Sequence, residues 1–142
     1  MPADSGSKKV QRNRKEVNNM QVINTPDAPA AIGPYSQAII SGNMGFTSGQ
    51  IPIVPATGNI EADTIEEQTV QAITNLKAVL EAAGSDLTKV VKTTCFLQNI
   101  SDFAAFNKVY AEYFTGRPAR SCVEVGALPK GALVEIEVVA EI

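Results

Sequence analysis

The sequence predicts an α+β fold in which about six strands form one sheet and two helices pack on one face of that sheet. A length of 142 residues, 44% of them hydrophobic, is sufficient for one compact core. Two segments carry apolar residues at helical spacing. The segments around them are rich in β-branched residues or alternate between apolar and polar residues. The predicted order of elements is therefore β-β-β-α-β-α-β-β.

Residues 1–19 differ in composition from the rest of the chain. They show no apolar periodicity and carry a charge of +3, whereas residues 20–142 contain seven basic and thirteen acidic residues and carry −6. The basic residues of the segment are Lys8, Lys9, Arg12, Arg14 and Lys15. We expect a flexible basic arm, or an extension that precedes a natural start at Met20, ahead of a single domain at 20–142. A basic targeting or RNA-binding arm is the alternative interpretation.

The chain before the first helix is expected to contribute three strands. Residues 20–23 form the first, and the prolines at 26–34 then impose an extended path that cannot be helical. Residues 36–40 and 44–48 are predicted to pair as a hairpin, because the sequence SGN at 41–43 favours a tight turn.

The first helix has a clear beginning and end. Thr64 and Glu67 match a capping box, apolar residues at helical spacing continue to Ala83, and Gly84 supplies a left-handed end. The segment 90–98 that follows is β-branched and apolar at successive positions, which is typical of a strand covered on both faces.

A second helix is predicted to begin at Ser101, which can cap it, and to end at the sequence GRP at 116–118. One stripe of this helix holds Phe103, Phe106, Asn107, Tyr110 and Phe114.

The last two strands, 119–125 and 132–142, are expected to form an antiparallel hairpin around the turn at 126–131. Side chains alternate between the two faces of a strand, so Val134, Ile136, Val138 and Ala140 form an apolar row for the helix-covered core.

Four polar residues of these strands are then expected to share the other face: Arg120, Cys122, Glu135 and Glu137. Cross-strand neighbours lie about 5 Å apart, so these groups could converge on one small molecule. The alternatives are a surface ion pair between Arg120 and Glu137, a small buried thiol, and a solvated edge of charged residues.

Composition excludes several functional classes. The chain has no histidine, which excludes zinc sites, Ser-His catalysis and Cys-His catalysis as usually built. Cys95 and Cys122 form no CxxC motif, and we expect free thiols in a cytoplasmic protein. No apolar run reaches the ~20 residues of a membrane span, and the acidic body makes nucleic acid an unfavourable partner.

Several stretches resemble the motifs of one known family. The first two are AAIGPYSQA at 30–38 and FTSGQIP at 46–52. Near the end of the chain follow PARSCVEV at 118–125, LPKGA at 128–132 and VEIE at 134–137. Together they resemble the Rid/YjgF family, and within it the RidA-type branch of enamine and imine deaminases.

The resemblance implies a chorismate-mutase-like mixed sheet and a homotrimer whose sheets form a central barrel, with a cleft at each subunit boundary. It implies hydrolysis of 2-iminopropanoate and 2-iminobutanoate to 2-keto acids and ammonia, with no cofactor and no metal. Small anionic imino and keto acids would be the ligands.

The resemblance also assigns catalytic roles. Arg120 would bind the substrate carboxylate through its planar fork. Glu135 would position the attacking water and carry a proton to the departing ammonia. Cys122 would line the pocket and help to place the water without acting as the nucleophile.

Substrate-binding roles follow in the same way. Tyr35 of a neighbouring subunit would close the cleft, Ser48 and Gly49 would supply polar and backbone contacts, and Asn107 would lie near the ligand. Arg117 departs from the family pattern, because an aromatic residue is common at its position, and the segment before Arg120 is short. This departure bears on the size and charge of the substrate.

Two other functions stay open at this point. Some members of the family have been described as endoribonucleases or translation inhibitors, and the basic arm could serve that role. A trimeric ligand-binding or chaperone-like protein would use the same clefts without turnover.

Overall fold

The computed structural model describes residues 20–142, so the predictions for residues 1–19 lie outside the described residues. The helices are α1 (Ile65–Ala82) and α2 (Phe103–Tyr113). The strands are β1 (Gln21–Ile23), β2 (Ala38–Ser41), β3 (Met44–Thr47), β4 (Ile53–Val54), β5 (Asn59–Ile60), β6 (Val90–Leu97), β7 (Ala119–Glu124) and β8 (Val134–Glu141).

Six strands form one sheet in the order β1-β2-β3-β8-β6-β7, while β4 and β5 pair separately. Neighbouring strands of the large sheet run antiparallel except β6 and β7, which run parallel. Apolar side chains of α1 and α2 pack with those of β6 and β8 in one core. The predicted α+β fold, a mixed six-stranded sheet with two helices on one face, is confirmed.

Helix α1 begins and ends where the sequence predicts. The hydroxyl of Thr64 accepts a hydrogen bond from the backbone N–H of Glu67 at 3.1 Å, and Gly84 adopts a φ of +82° just beyond the helix. Ile73 and Leu76 are fully buried against the sheet. No helix in residues 20–142 has both the length and the apolar character that a membrane span requires.

The predicted hairpin of the last two strands is wrong. Strand β8 lies between β3 and β6, and β7 pairs in parallel with the far side of β6. Parallel strands need a crossover connection, and α2 provides it between β6 and β7. In its position between two strands, β8 buries Val134, Ile136, Val138 and Ala140 beneath the helices.

This pairing also corrects the predicted sharing of one face by Arg120, Cys122, Glu135 and Glu137. Arg120 and Cys122 are the register partners of Thr93 and Cys95, which lie in β6 on the helix-covered face. The partners of Glu135 and Glu137 are Phe96 and Thr94, which lie on the opposite face. Alternation within each strand was predicted correctly, but the relation between the two strands was not, because it depends on their pairing.

The start of the second helix also differs from the prediction. Ser101 does not cap α2, since it lies inside a 3-10 turn, Ile100–Asp102, that leads into the helix. Asp102 occupies the N-cap position and makes no side-chain cap hydrogen bond. The N–H of Ile100 instead donates to Oε1 of Glu124 at 2.7 Å, so a side chain at the end of β7 holds the entry to the helix.

The sheet face without helices carries exposed apolar side chains within the described chain. Val22 is 60% exposed, and Phe46 and Val123 are each 45% exposed. The registers place them on the face that holds Glu135. An apolar sheet face of this kind is typical of a protein interface.

Candidate functional site

The predicted site residues other than Cys122 line two separate cavities. The first cavity, of about 480 Å³, lies at the C-terminal half of α2 and the start of β7. Its lining residues include Asn107, Tyr110, Arg117 and Arg120.

Arg120 is held firmly at the wall of this first cavity. Its Nη1 donates a hydrogen bond to Oδ1 of Asn107 at 2.6 Å. Its Cζ lies 4.7 Å from the ring centroid of Tyr110 and 5.5 Å from that of Phe103. These cation–π contacts and the hydrogen bond fix the plane of the guanidinium. A fixed guanidinium fork is suited to binding a carboxylate in a defined orientation.

The position of Tyr110 is itself fixed by a hydrogen bond to the sheet. Its hydroxyl lies 2.7 Å from the hydroxyl of Thr93, a fully buried residue of β6. Burial raises the pKa of the Tyr110 phenol, so the ring beside Arg120 stays neutral at ordinary pH. The stack of Thr93, Tyr110 and Arg120 therefore connects the core of the sheet to the cavity wall.

Cys122 lies on the same face as Arg120, partly buried against the core, and lines neither of these two cavities. Burial raises the pKa of its thiol, although Arg120 acts in the opposite direction. Burial raises the pKa of its register partner Cys95 to about 12. Both thiols are free and stay protonated near neutral pH, which disfavours either of them as a nucleophile.

The second cavity has a volume of about 460 Å³ and is lined by the other predicted site residues. Tyr35, Ser48, Gly49 and Glu135 all line it, together with Lys130. Tyr35 is 52% exposed at its edge, and the phenolic oxygen accepts a hydrogen bond from the N–H of Ile32 at 3.3 Å.

Backbone pairing brings the loop at 48–50 against Glu135. The N–H of Gln50 donates to the carbonyl of Ile136 at 2.8 Å, and the N–H of Ile136 donates back to the carbonyl of Gln50 at 3.1 Å. Ser48 donates its hydroxyl hydrogen to the carbonyl of Ser36 at 2.5 Å. These bonds fix the loop, and a Cβ added to Gly49 would lie 2.8 Å from Cδ of Glu135. The absence of a Cβ at position 49 therefore leaves room for the Glu135 carboxyl.

The pKa of Glu135 is raised, first because burial removes the carboxyl from water and second because Glu137 is a nearby like charge. A carboxyl whose pKa is raised towards neutral pH is better suited both to accept and to donate a proton there, as a general acid and base must. Among the described residues that line this cavity, Glu135 is the one acidic side chain.

Within one chain, the structure therefore brings Arg120 together with Asn107, and Glu135 together with Tyr35, Ser48 and Gly49, but keeps the two sets apart. We call the first set the arginine half-site and the second set the glutamate half-site. Strand β6 separates Arg120 in β7 from Glu135 in β8, and the two side chains point to opposite faces.

A family model described as Endoribonuclease L-PSP matches residues 25–142 of the chain. The chain belongs to this family, also called Rid/YjgF.

Rid/YjgF proteins similar to this chain include a RutC family protein of Pyrococcus horikoshii, 54% identical over 84% of this chain and 96% of the relative. The 2-iminobutanoate/2-iminopropanoate deaminase of Escherichia coli is 49% identical over 84% of this chain and 96% of its own length. The crystal structure of E. coli TdcF with bound serine matches with a TM-score of 0.82 at 44% identity, covering 86% of this chain and 98% of TdcF.

Two residues of this candidate site are not among those predicted from the sequence. Tyr110 was assigned to the apolar stripe of a helix, yet its ring also supports Arg120. Lys130 was assigned to a turn, yet it lines the glutamate half-site with a φ of +58°. The sequence PKG at 129–131, a lysine between two turn-forming residues, is the signal that could have indicated an unusual backbone there.

Proposed function

We propose that this chain hydrolyses small 2-imino acids to 2-keto acids and ammonia. The observation that carries the proposal is the fixed guanidinium of Arg120, held by Asn107 and Tyr110 at a cavity wall. Such a group binds the carboxylate of a 2-imino acid and thereby orients the adjacent imine carbon.

The complete site forms between two copies of the chain. Arg120 and Glu135 point to opposite faces of one sheet, so a small molecule cannot contact both within one protomer. The exposed apolar side chains of the face without helices, among them Val123 and Phe46, supply a surface for self-association. A closed trimer places the arginine half-site of each subunit against the glutamate half-site of its neighbour.

The chemistry requires one water molecule and the movement of protons. The water oxygen bonds to the imine carbon as the π bond shifts to nitrogen, which gives a carbinolamine. The C–N bond then breaks, its electron pair leaves with ammonia, and the C–O bond becomes the keto group. Glu135 takes a proton from the attacking water and gives it to the imine nitrogen, and it then carries the hydroxyl proton of the carbinolamine to the departing nitrogen, a role for which its raised pKa is suited.

The relatives favour the same reaction. An E. coli relative at 49% identity is named a 2-iminobutanoate/2-iminopropanoate deaminase. The TdcF structure contains serine, a small molecule with a carboxylate next to a carbon that bears nitrogen. A carboxylate and a nitrogen on the neighbouring carbon are the two features that Arg120 and Glu135 are proposed to recognise.

The direct test adds the protein to a threonine dehydratase reaction that releases 2-iminobutanoate, and measures trapping of the imine by semicarbazide. We expect the wild-type chain to reduce trapping, because it hydrolyses the imine first. Arg120→Ala should abolish this effect, whereas Lys77→Gln, at an exposed position on α1, should not. Equal trapping with and without the wild-type chain would show that the protein is not a hydrolase of this imine.

The name of the matching family also describes an endoribonuclease. The described residues carry a charge of −6, which repels a phosphate backbone and disfavours that activity. RNA cleavage that survives Arg120→Ala would favour the nuclease over the deaminase. Binding of a small carboxylate without any turnover would favour a ligand-binding protein.

A further inference from the structure

A second arginine shares the cavity of Arg120. Arg117 lines the same space of about 480 Å³, three residues earlier in the chain. The other residues that line this cavity are Asn107, Tyr110, Ala111, Phe114, Thr115 and Pro118, none of which is acidic. The lining of this cavity therefore includes two arginines and no acidic residue.

The backbone conformation of Arg117 is unusual for an arginine. Its φ is +55°, in the left-handed region that favours glycine. The left-handed residue of this turn is therefore Arg117 and not the neighbouring Gly116. Its N–H donates to the carbonyl of Phe114 at 3.2 Å, and Pro118 follows it and restricts its backbone. A charged residue with a strained backbone in the lining of a cavity indicates a functional constraint.

We propose that Arg117 selects 2-imino acids that carry a second carboxylate on the side chain, such as 2-iminosuccinate. This inference rests on the proposed function, since Arg120 binds the carboxylate beside the imine. Arg117 binds the distal carboxylate of the same molecule. Hydrolysis consumes water and releases ammonia as before, and leaves a keto acid with two carboxylates.

The test compares two imines with the same four-carbon chain, 2-iminosuccinate and 2-iminobutanoate. An amino-acid oxidase acting on aspartate generates the first, and threonine dehydratase generates the second. Loss of a charged hydrogen bond should lower kcat/KM of Arg117→Asn for 2-iminosuccinate by about ten- to a hundredfold. The same variant should lower kcat/KM for 2-iminobutanoate by a much smaller factor, because that imine has no distal carboxylate.

Two further variants separate a specific role of Arg117 from a general effect. Asparagine adopts the left-handed conformation readily, so Arg117→Asn should fold. Arg117→Lys keeps the charge and should retain most of the activity towards the acidic imine. Lys77→Gln removes one positive charge from an exposed position on α1 and should leave the ratio of the two kcat/KM values unchanged.

Equal effects of Arg117→Asn on both imines, or no effect on either, would overturn the inference while leaving the deaminase function in place. If the wild-type chain hydrolyses neither imine, the proposed function fails. The role of Arg117 is then tested by the binding of carboxylates alone. Calorimetry with succinate and butyrate should show that Arg117→Asn weakens succinate binding alone. An unchanged ratio of the two Kd values would contradict the role of Arg117.

Discussion

Arg120 and Glu135 lie on opposite faces of the same sheet, with strand β6 between them. Along β6 their register partners, Thr93 and Phe96, are three residues apart. The arginine is therefore set beneath α2, and the carboxyl faces the loop at 48–50. The proposed reaction needs both groups on one small molecule, so assembly is part of the catalytic proposal.

Asn107→Asp should weaken substrate binding. Oδ1 of Asn107 accepts a hydrogen bond from Arg120 at 2.6 Å, so an aspartate there would form an ion pair with the guanidinium. That ion pair competes with the substrate carboxylate, and KM should rise by about tenfold with a smaller change in kcat. Steady-state kinetics with 2-iminobutanoate measures the effect. An unchanged KM would show that Asn107 does not position Arg120 for binding.

Gly49→Ala should lower kcat while leaving the fold intact. The new Cβ would lie 2.8 Å from Cδ of Glu135 and would push the carboxyl aside. A displacement of about 1 Å at a reacting group can cost about a hundredfold in rate. Gly126→Ala is the matched control, because a Cβ there meets nothing within 4 Å. Equal kcat values for the two variants would remove Glu135 from the mechanism.

Glu135→Gln should raise stability at neutral pH while it lowers activity. Burial and Glu137 raise the pKa of Glu135 in the folded chain above its ordinary value of 4.5. The ionised carboxyl therefore destabilises the folded state, and this penalty is absent below the unfolded pKa and grows as pH rises through the folded pKa. Urea midpoints should favour the variant at pH 7, and the advantage should disappear below pH ~4. A constant difference across this range would contradict the raised pKa.

Val123→Lys should break the assembly. Val123 is 45% exposed on the sheet face without helices, and a lysine there would place an unpaired charge inside the proposed interface. We expect sedimentation to show dissociation and turnover to fall in proportion, although Val123 lines neither of the two cavities. Val70→Lys, which alters a 37% exposed valine on α1, should leave both unchanged. Intact assembly in Val123→Lys would place the interface elsewhere.

The sequence was sufficient to predict the two helices and the six strands of the large sheet, but not the short pair β4–β5 or the pairing of the last strands. Local signals such as the Thr64 cap and the left-handed Gly84 determine where α1 begins and ends. The apolar row of β8 also follows from alternation alone. Pairing of β7 with β6 depends instead on how α2 crosses the sheet, which is a long-range contact that no local pattern encodes.

The same limit explains the result for the site. Strand alternation indicates Arg120 and Glu135 as candidates, and the resemblance assigns their roles. The assumed hairpin then put both on one face, whereas the parallel pairing of β6 and β7 puts Arg120 under the helices. Tyr110 was missed because a buried aromatic on a helix is ordinarily a core residue, and its support of Arg120 depends on the tertiary packing.

Mixed oligomers of Arg120→Ala and Glu135→Gln test the shared site most directly. Each variant alone should be inactive towards 2-iminobutanoate. Co-expression with two different tags, followed by purification on both, yields hybrids in which one cleft of three combines an intact Arg120 with an intact Glu135 from its neighbour. We predict about a third of wild-type turnover in these hybrids. The control is co-expression of Arg120→Ala with a chain that carries both substitutions, because no cleft then contains an intact Arg120. Hybrids as inactive as this control would contradict a site built from two subunits.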